Sequence, residues 1–419
     1  MKRFLITDHS LEKQISQLIR SDDHLAIVDS FARATFSLIT EPGDRFAGAL
    51  LQALSPCEVL ELEIRKEGFE KYRACLREVD ALDEIEFLFG KLETAHAEAR
   101  QRWSSRLKLS EMARALESAI RVGAELLTPD SNFWPHALDD LALAKPHCLW
   151  IRSRQISNAF SSQAISIVGS RVSTSYGEWV TSEIVADAST RNLAIVSGGA
   201  YGIDAIAHRS AIAHSQPTVA FMAGGIDRIY PSGNSALLEK VIDVGALVAE
   251  QAPGASPTKW RFLQRNRLIA ALGEVTVVVE AGLRSGALNT ISHAIDLGRP
   301  VAAVPGPITS QTSVGCNRLL SQGLASAICQ PSDAADLALG RQGWFQPELE
   351  SLGAFETRAL DAFGNHALSA EQVGSRAGLT SKETAIALGQ LSLLGFVELR
   401  DKGWVKLPLE REQRPDPIG

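Results

Sequence analysis

The chain has 419 residues, a formal net charge of −7, 45% hydrophobic and 22% charged residues. That is ordinary globular composition for a soluble chain of two or three domains, and the net acidity excludes a generally polybasic nucleic-acid binder, though not a local basic patch. No apolar run reaches membrane-spanning length, and the N-terminal MKRFLITDHSLEKQ has no apolar core of a signal peptide, so a cytoplasmic protein is expected.

Residues 1–125 are rich in Leu, Ala, Glu and Arg, and ARATFSLI, GFEKYRACLREVDAL and KLSEMARALESAIRVG carry helical spacing. They predict a helical N-terminal domain. The segment TPDSNFWPHALDDLALAKPHCLWIRS, 128–153, has two prolines and aromatic anchors and reads as a docking segment. The cysteines Cys57, Cys75, Cys148, Cys316 and Cys329 are odd in number and form no CxxC pair. Neither a disulfide framework nor a zinc site is expected, and no cofactor.

From about 163 the rhythm changes. The apolar runs AISIVGS, LAIVSGG, PTVAFMAGG, ALVAEQ, EVTVVVEA, RPVAAVPG and ASAICQ alternate with helical segments. Continuous apolar strands alternating with helices predict a parallel sheet covered on both faces, an α/β fold. Ligands of such sheets bind at the carboxyl ends of the strands. Most of these strands end in glycine, serine or a charged residue. The region 126–335 is therefore the expected binding domain. A linker over 336–352 follows. Capping-box patterns at Ser369/Gln372 and Thr380/Glu383, a Gly378 turn and the alternating FVELRDKGWVKL predict a C-terminal winged helix over 353–408, then a tail over 409–419.

The stretch SGGAYGIDAIAH, Ser197–His208, has the strand–glycine–helix order of a phosphate cradle. It is neither GxGxxG nor a P-loop, and no acid stands at the end of the next strand before Asp227, as a nicotinamide site would require. Its glycines could serve only to tighten a turn. Other loops extend the picture. Ser170 and Arg171 follow the first strand of this region. KWRFLQRNRLIA, 259–270, interleaves four cations with Trp260 and Phe262, a pattern suited to single-stranded nucleic acid; the alternative is a solvated basic turn with the two aromatics in the core. Arg284-Ser285-Gly286 opens another helix. So long an anion-binding edge suits a polyanion better than one small nucleotide.

IVGSR, SGGAYGIDAIAH, AGGIDRIYPSGN, RNRLIAAL, VVVEAGLRSGALNT, GRPVAAVPG and TSVGCNRLLSQG, in that order over about 150–335, closely resemble the DNA-processing protein A family, DprA or Smf. The resemblance implies an extended Rossmann-like domain between a helical N-terminal domain and a winged helix. It implies a non-enzymatic protein that binds and protects single-stranded DNA and helps load the RecA recombinase in natural transformation (competence) and homologous recombination. It also implies a homodimer formed through the Rossmann-like domain. The family's DNA surface maps to Ser170, Arg171, Gly198, Gly199, Ala200 and the segment Lys259–Arg267. Within that segment Lys259, Phe262, Arg265, Asn266 and Arg267 are expected contacts, joined by Ser285 and Gly286. Asp204 is expected to orient the Ser197 loop and His208 to pack. No catalytic or metal-binding residue is expected.

Two departures stand out. The family's FPxRNR segment has proline where Leu263 stands, and the first 125 residues match the family poorly. The helical segment SKETAIALGQLSLLG holds one cation and one anion, so duplex contact and partner docking both stay open for the winged helix. The rival from another class is a Rossmann-like nucleotide or phosphoribosyl hydrolase with a PGGxGTxxE motif. The corresponding stretch 284–290 lacks that glutamate, and Glu280 is the only acid well placed nearby.

Overall fold

The computed structural model describes residues 8–160, 162–341, 352–364, 366–394, 396–400 and 403–407. Most of the expected linker, the whole expected tail and the Asp401-Lys402 turn lie outside the described residues. The chain divides into two compact units, Met1–Gln342 and Gly343–Gly419.

The first unit begins with eight helices: α1 (His9–Ile19), α2 (His24–Ile39), α3 (Arg45–Ala53), α4 (Pro56–Ile64), α5 (Phe69–Glu78), α6 (Leu82–Phe89), α7 (Leu92–Ser104) and α8 (Leu109–Arg121). Asp8, Asp23, Asp44 and Ser55 cap the first four, each accepting from backbone N–H groups that the helix leaves without partners. Their apolar stripes meet around Phe36 and Trp103, whose rings cross edge to face at 6.0 Å.

A nine-stranded sheet follows. Its strands are β1 (Glu125–Leu127), β2 (Leu149–Arg152), β3 (Ala164–Val168), β4 (Ala194–Ser197), β5 (Thr218–Met222), β6 (Ala246–Ala249), β7 (Val275–Val278), β8 (Val301–Ala303) and β9 (Ser326–Ala327). The order across the sheet is β1-β2-β6-β5-β4-β3-β7-β8-β9. Strands β3 to β9 run parallel, and β1 and β2 add an antiparallel edge. The segment read as a docking stretch thus contributes β2, which pairs Trp150 with Ala249, and a 3-10 turn over His136–Ala144. The run ASAICQ supplies only the two exposed residues of β9.

Strands β3 to β7 are buried at every position, as continuous apolar runs require. Both faces are covered by α9 (Ile156–Ala159), α10 (Ser175–Thr190), α11 (Ile203–Ala213), α12 (Ser235–Val244), α13 (Lys259–Leu272), α14 (Ala287–Asp296), α15 (Val314–Ser321) and α16 (Ser332–Ala338). One core runs from the N-terminal helices through Cys148 and Trp150 to Met222 and Leu247, so the helical domain and one end of the sheet are fused. Trp150 Nε1 donates to Ser37 Oγ at 3.1 Å across that junction.

The second unit holds α17 (Ala354–Asp361), α18 (Ala370–Ala377), α19 (Ser381–Leu393) and the antiparallel pair β10 (Val397–Arg400) and β11 (Gly403–Lys406). Both expected capping boxes form, and Gly378 takes the left-handed conformation that ends α18. Among the described residues no helix is long and apolar enough to cross a membrane, and no group of three His, Cys, Asp or Glu is placed to hold a metal.

Candidate nucleic-acid interface

Strand order reverses between β3 and β7: β3 to β6 run outward on one side, β7 to β9 on the other. A crevice opens outside the carboxyl ends of the strands at such a switch point. Here it is a cleft of about 890 Å³, walled by the loop after β3, the loop 282–286 and the starts of α13 and α14. Both helix starts present partial positive charge to the cleft. Thr258 caps α13 by accepting from Arg261 N, and Ser285 Oγ accepts from Ala287 N at the start of α14.

Nine of the twelve residues expected at a DNA surface line this cleft: Ser170, Arg171, Ala200, Lys259, Phe262, Arg265, Asn266, Ser285 and Gly286. Arg284 joins them. Its cations are therefore Arg171, Lys259, Arg265 and Arg284, against the single acid Asp204. A chain of net charge −7 thus carries a locally positive cleft at this edge. Arg171, Lys259 and Arg284 are exposed. Among the described residues none of these three side chains makes a hydrogen bond or ion pair.

Phe262 is half-buried at the centre. The guanidinium carbons of Arg171 and Arg265 lie 5.4 and 5.7 Å from its ring centroid, and Tyr230 approaches within 5.7 Å. These are cation–π distances, and they gather both cations around one aromatic ring.

Arg265 is 6% exposed, and Nη1 donates to the carbonyls of Gly198 at 2.7 Å and Phe221 at 2.5 Å. Burial pulls its pKa down to about 10; Asp204 opposes that shift and Arg171 adds to it. Asn266, also buried, accepts from Arg265 Nε and donates to Asn289 Oδ1 at 3.1 Å, tying α13 to α14.

The Ser197 loop differs from the expected open cradle. Asp204, at the second position of α11, accepts from Gly198 N at 3.2 Å and Ala200 N at 3.3 Å. Two of the N–H groups expected to face a phosphate are thus already engaged. Burial pushes the Asp204 carboxyl pKa up, against the pull of Arg265 and of these two hydrogen bonds. The glycines answer to the chain's own packing. A Cβ on Gly198 would lie 2.5 Å from Arg265 Nη2, and Gly202, at φ +72°, would meet Ser170 O at 2.2 Å. Gly199 sits behind the cleft against Leu238. His208 is fully buried and pairs Nδ1 with Thr218 Oγ1 at 2.8 Å, the packing role expected of it.

Arg267 is also absent from the cleft. It is 3% exposed and grips Glu250 with both Nη atoms, at 2.6 and 2.9 Å. The segment 259–267 is helical rather than a basic loop, and residues two apart on a helix point to opposite sides. Arg265 and Arg267 therefore cannot both face one ligand. That spacing was the available signal. Ser170 Oγ closes its own turn through Val172 N and O. Tyr230, Asn289 and Thr290 were not singled out from sequence; they reach the site from distant segments.

Glu280 lies 2% exposed beneath the loop after β3. It accepts from Thr174 N at 3.0 Å, Thr174 Oγ1 at 2.6 Å and Thr312 Oγ1 at 3.2 Å, so it fastens three loops together.

Residues 125–338 match the family described as DNA recombination-mediator protein A. A DNA processing protein DprA of Mycobacterium tuberculosis (strain H37Rv) is 37% identical over 347 residues, covering 79% of this chain and 88% of its own. Protein Smf of Escherichia coli K12 is 30% identical, covering 71% and 83%. The X-ray structure of DNA processing protein A from Streptococcus pneumoniae superposes with a TM-score of 0.51 at 28% identity, over 57% of this chain and 81% of that one.

Proposed function

The chain belongs to the DNA recombination-mediator protein A (DprA/Smf) family of DNA-processing proteins, and we propose that it binds single-stranded DNA along the cleft at the β3/β7 switch point. The observation that carries this reading is the lining of the cleft: four cations, two helix starts and two aromatics, Phe262 and Tyr230, with a single buried acid. Phosphates engage Lys259 and Arg284, whose side chains have no hydrogen-bond or ion-pair partner among the described residues to give up, and Arg171, whose contact is the Phe262 ring. Arg171 swings from the Phe262 ring to a phosphate and frees a face on which an unpaired base stacks. Arg265 stays on its two carbonyls and supplies fixed charge at the floor.

The free cations of the cleft suit phosphates and its aromatics suit any base, so binding is sequence-tolerant, salt-sensitive and weaker for duplex. The protein acts as a cytoplasmic binder rather than an enzyme, as a homodimer that protects the strand and hands it to RecA. The binder reading over a hydrolase draws support from Glu280, whose oxygens are engaged by Thr174 and Thr312 rather than offered to a ligand.

The test is a titration of a labelled single strand and of the same sequence as duplex, with the parent protein and with Arg171→Ala/Lys259→Ala. The parent binds the single strand more tightly. The variant loses affinity and flattens the plot of log K against log salt by about 1.4, at ~0.7 per single-strand phosphate contact. Equal binding by parent and variant overturns the assignment. Adding RecA to the same titration reports the hand-over.

A further inference from the structure

Where the N-terminal helices meet the sheet, a second groove of about 850 Å³ opens beside the cleft. It runs between α8 and the loops after β5 and β6. Its lining holds six cations, Arg106, Lys108, Arg114, Arg121, Arg228 and Arg261, against Glu111, Glu117 and Asp227. Three of the six are already paired: Arg106 and Arg261 both grip Glu41, and Arg114 holds Glu111. The other three are exposed. Among the described residues the side chains of Lys108 and Arg228 have no hydrogen-bond or ion-pair partner, and that of Arg121 has only Ser118 Oγ at 2.8 Å.

The groove adjoins the cleft directly. Ala255, Ser256 and Arg261 line the groove, while Pro257, Thr258 and Lys259 line the cleft, so one short segment forms the ridge between them. That ridge is held from both sides. Asp227 accepts from Gly254 N at 2.8 Å and from Ser118 Oγ at 3.2 Å, and Arg261 Nε donates to Glu41 at 2.9 Å. Lys108 and Arg121 stand at opposite ends of α8, about 20 Å apart at 1.5 Å per residue. A mononucleotide cannot reach both.

We infer that this groove is a second phosphate track, through which the single strand leaving the cleft passes over the 253–258 ridge and along α8, with Lys108, Arg121 and Arg228 as its contacts. The inference rests on the cleft being the primary site. It gives the N-terminal helices a part in DNA binding that their packing role does not require.

The experiment uses the full chain, a hexanucleotide and a 25-nucleotide single strand, each titrated over a range of salt. The variants are Lys108→Ala/Arg121→Ala/Arg228→Ala and, separately, Arg171→Ala/Lys259→Ala. The groove variant is expected to bind the hexanucleotide as the parent does. For the longer strand its salt slope should fall by about 2, at ~0.7 for each of three contacts. Unchanged affinity and slope for the long strand overturn the track, and so does an equal loss for both lengths. If instead the cleft variant binds both lengths as the parent does, the primary site itself is wrong.

Discussion

Arg265 and Arg267 are chemically identical and two residues apart, yet the structure gives them different work. Replacing Arg267 by Met leaves the Glu250 carboxylate, 8% exposed, without its cation. Breaking a buried ion pair from one side costs about 3–5 kcal/mol, because the remaining charge is uncompensated. The first unit spans Met1–Gln342. At ~2.1 cal/mol/K per residue its unfolding entropy is about 0.7 kcal/mol/K, so the midpoint should fall by roughly 4–7 °C. Single-strand affinity measured well below the midpoint should stay at the parent value, since Arg267 does not line the cleft. Adding Glu250→Leu should restore most of the midpoint by removing the stranded charge. Calorimetry and a fluorescence titration on the same preparations give both quantities. An Arg267→Met variant that keeps its midpoint and loses DNA affinity would refute the assignment of Arg267 to the core.

Two further outcomes follow from the geometry. Phe262→Leu removes the ring that two guanidiniums flank and on which a base stacks; single-strand affinity should fall by about 1–3 kcal/mol, with the salt slope retained. His147 and His208 are held by burial at a pKa of about 3, far below the ~6.5 of an unfolded histidine. Both are neutral in either state above that value, so they leave stability unchanged there. Below it only the unfolded chain takes up the protons, and stability should fall by about 1.4 kcal/mol per pH unit for each histidine. His208→Asn should take about 1.4 kcal/mol per pH unit off the measured slope in a series of thermal melts between about pH 6.5 and 5.

Much of the fold is legible in the sequence because buried parallel strands need continuous apolar runs, and β3 to β8 each lie within one. The binding edge is legible for a related reason: strands that end in glycine, serine or a cation place those residues together at one rim. What the sequence hid depends on partners far along the chain. Glu250 takes Arg267 inward, and no spacing rule points from one to the other. Asp204 does orient the Ser197 loop as the sequence suggested, but it does so by accepting from the nearby Gly198 and Ala200 amides, so two N–H groups of the apparent phosphate cradle are taken by its own acid. The antiparallel β2 was hidden inside a segment whose prolines and aromatics suggested docking. The groove along α8 needs the N-terminal helices and the loops after β5 and β6 together, which only the shared core around Cys148 and Trp150 brings into register.

The most direct measurement is ultraviolet cross-linking of an oligothymidylate to the full chain, followed by mass spectrometric mapping of the attached peptide. A strand in the switch-point cleft with a base on the central aromatic predicts attachment at Phe262, lost in Phe262→Leu. Attachment confined to peptides outside the cleft, unaffected by that substitution, would contradict the account.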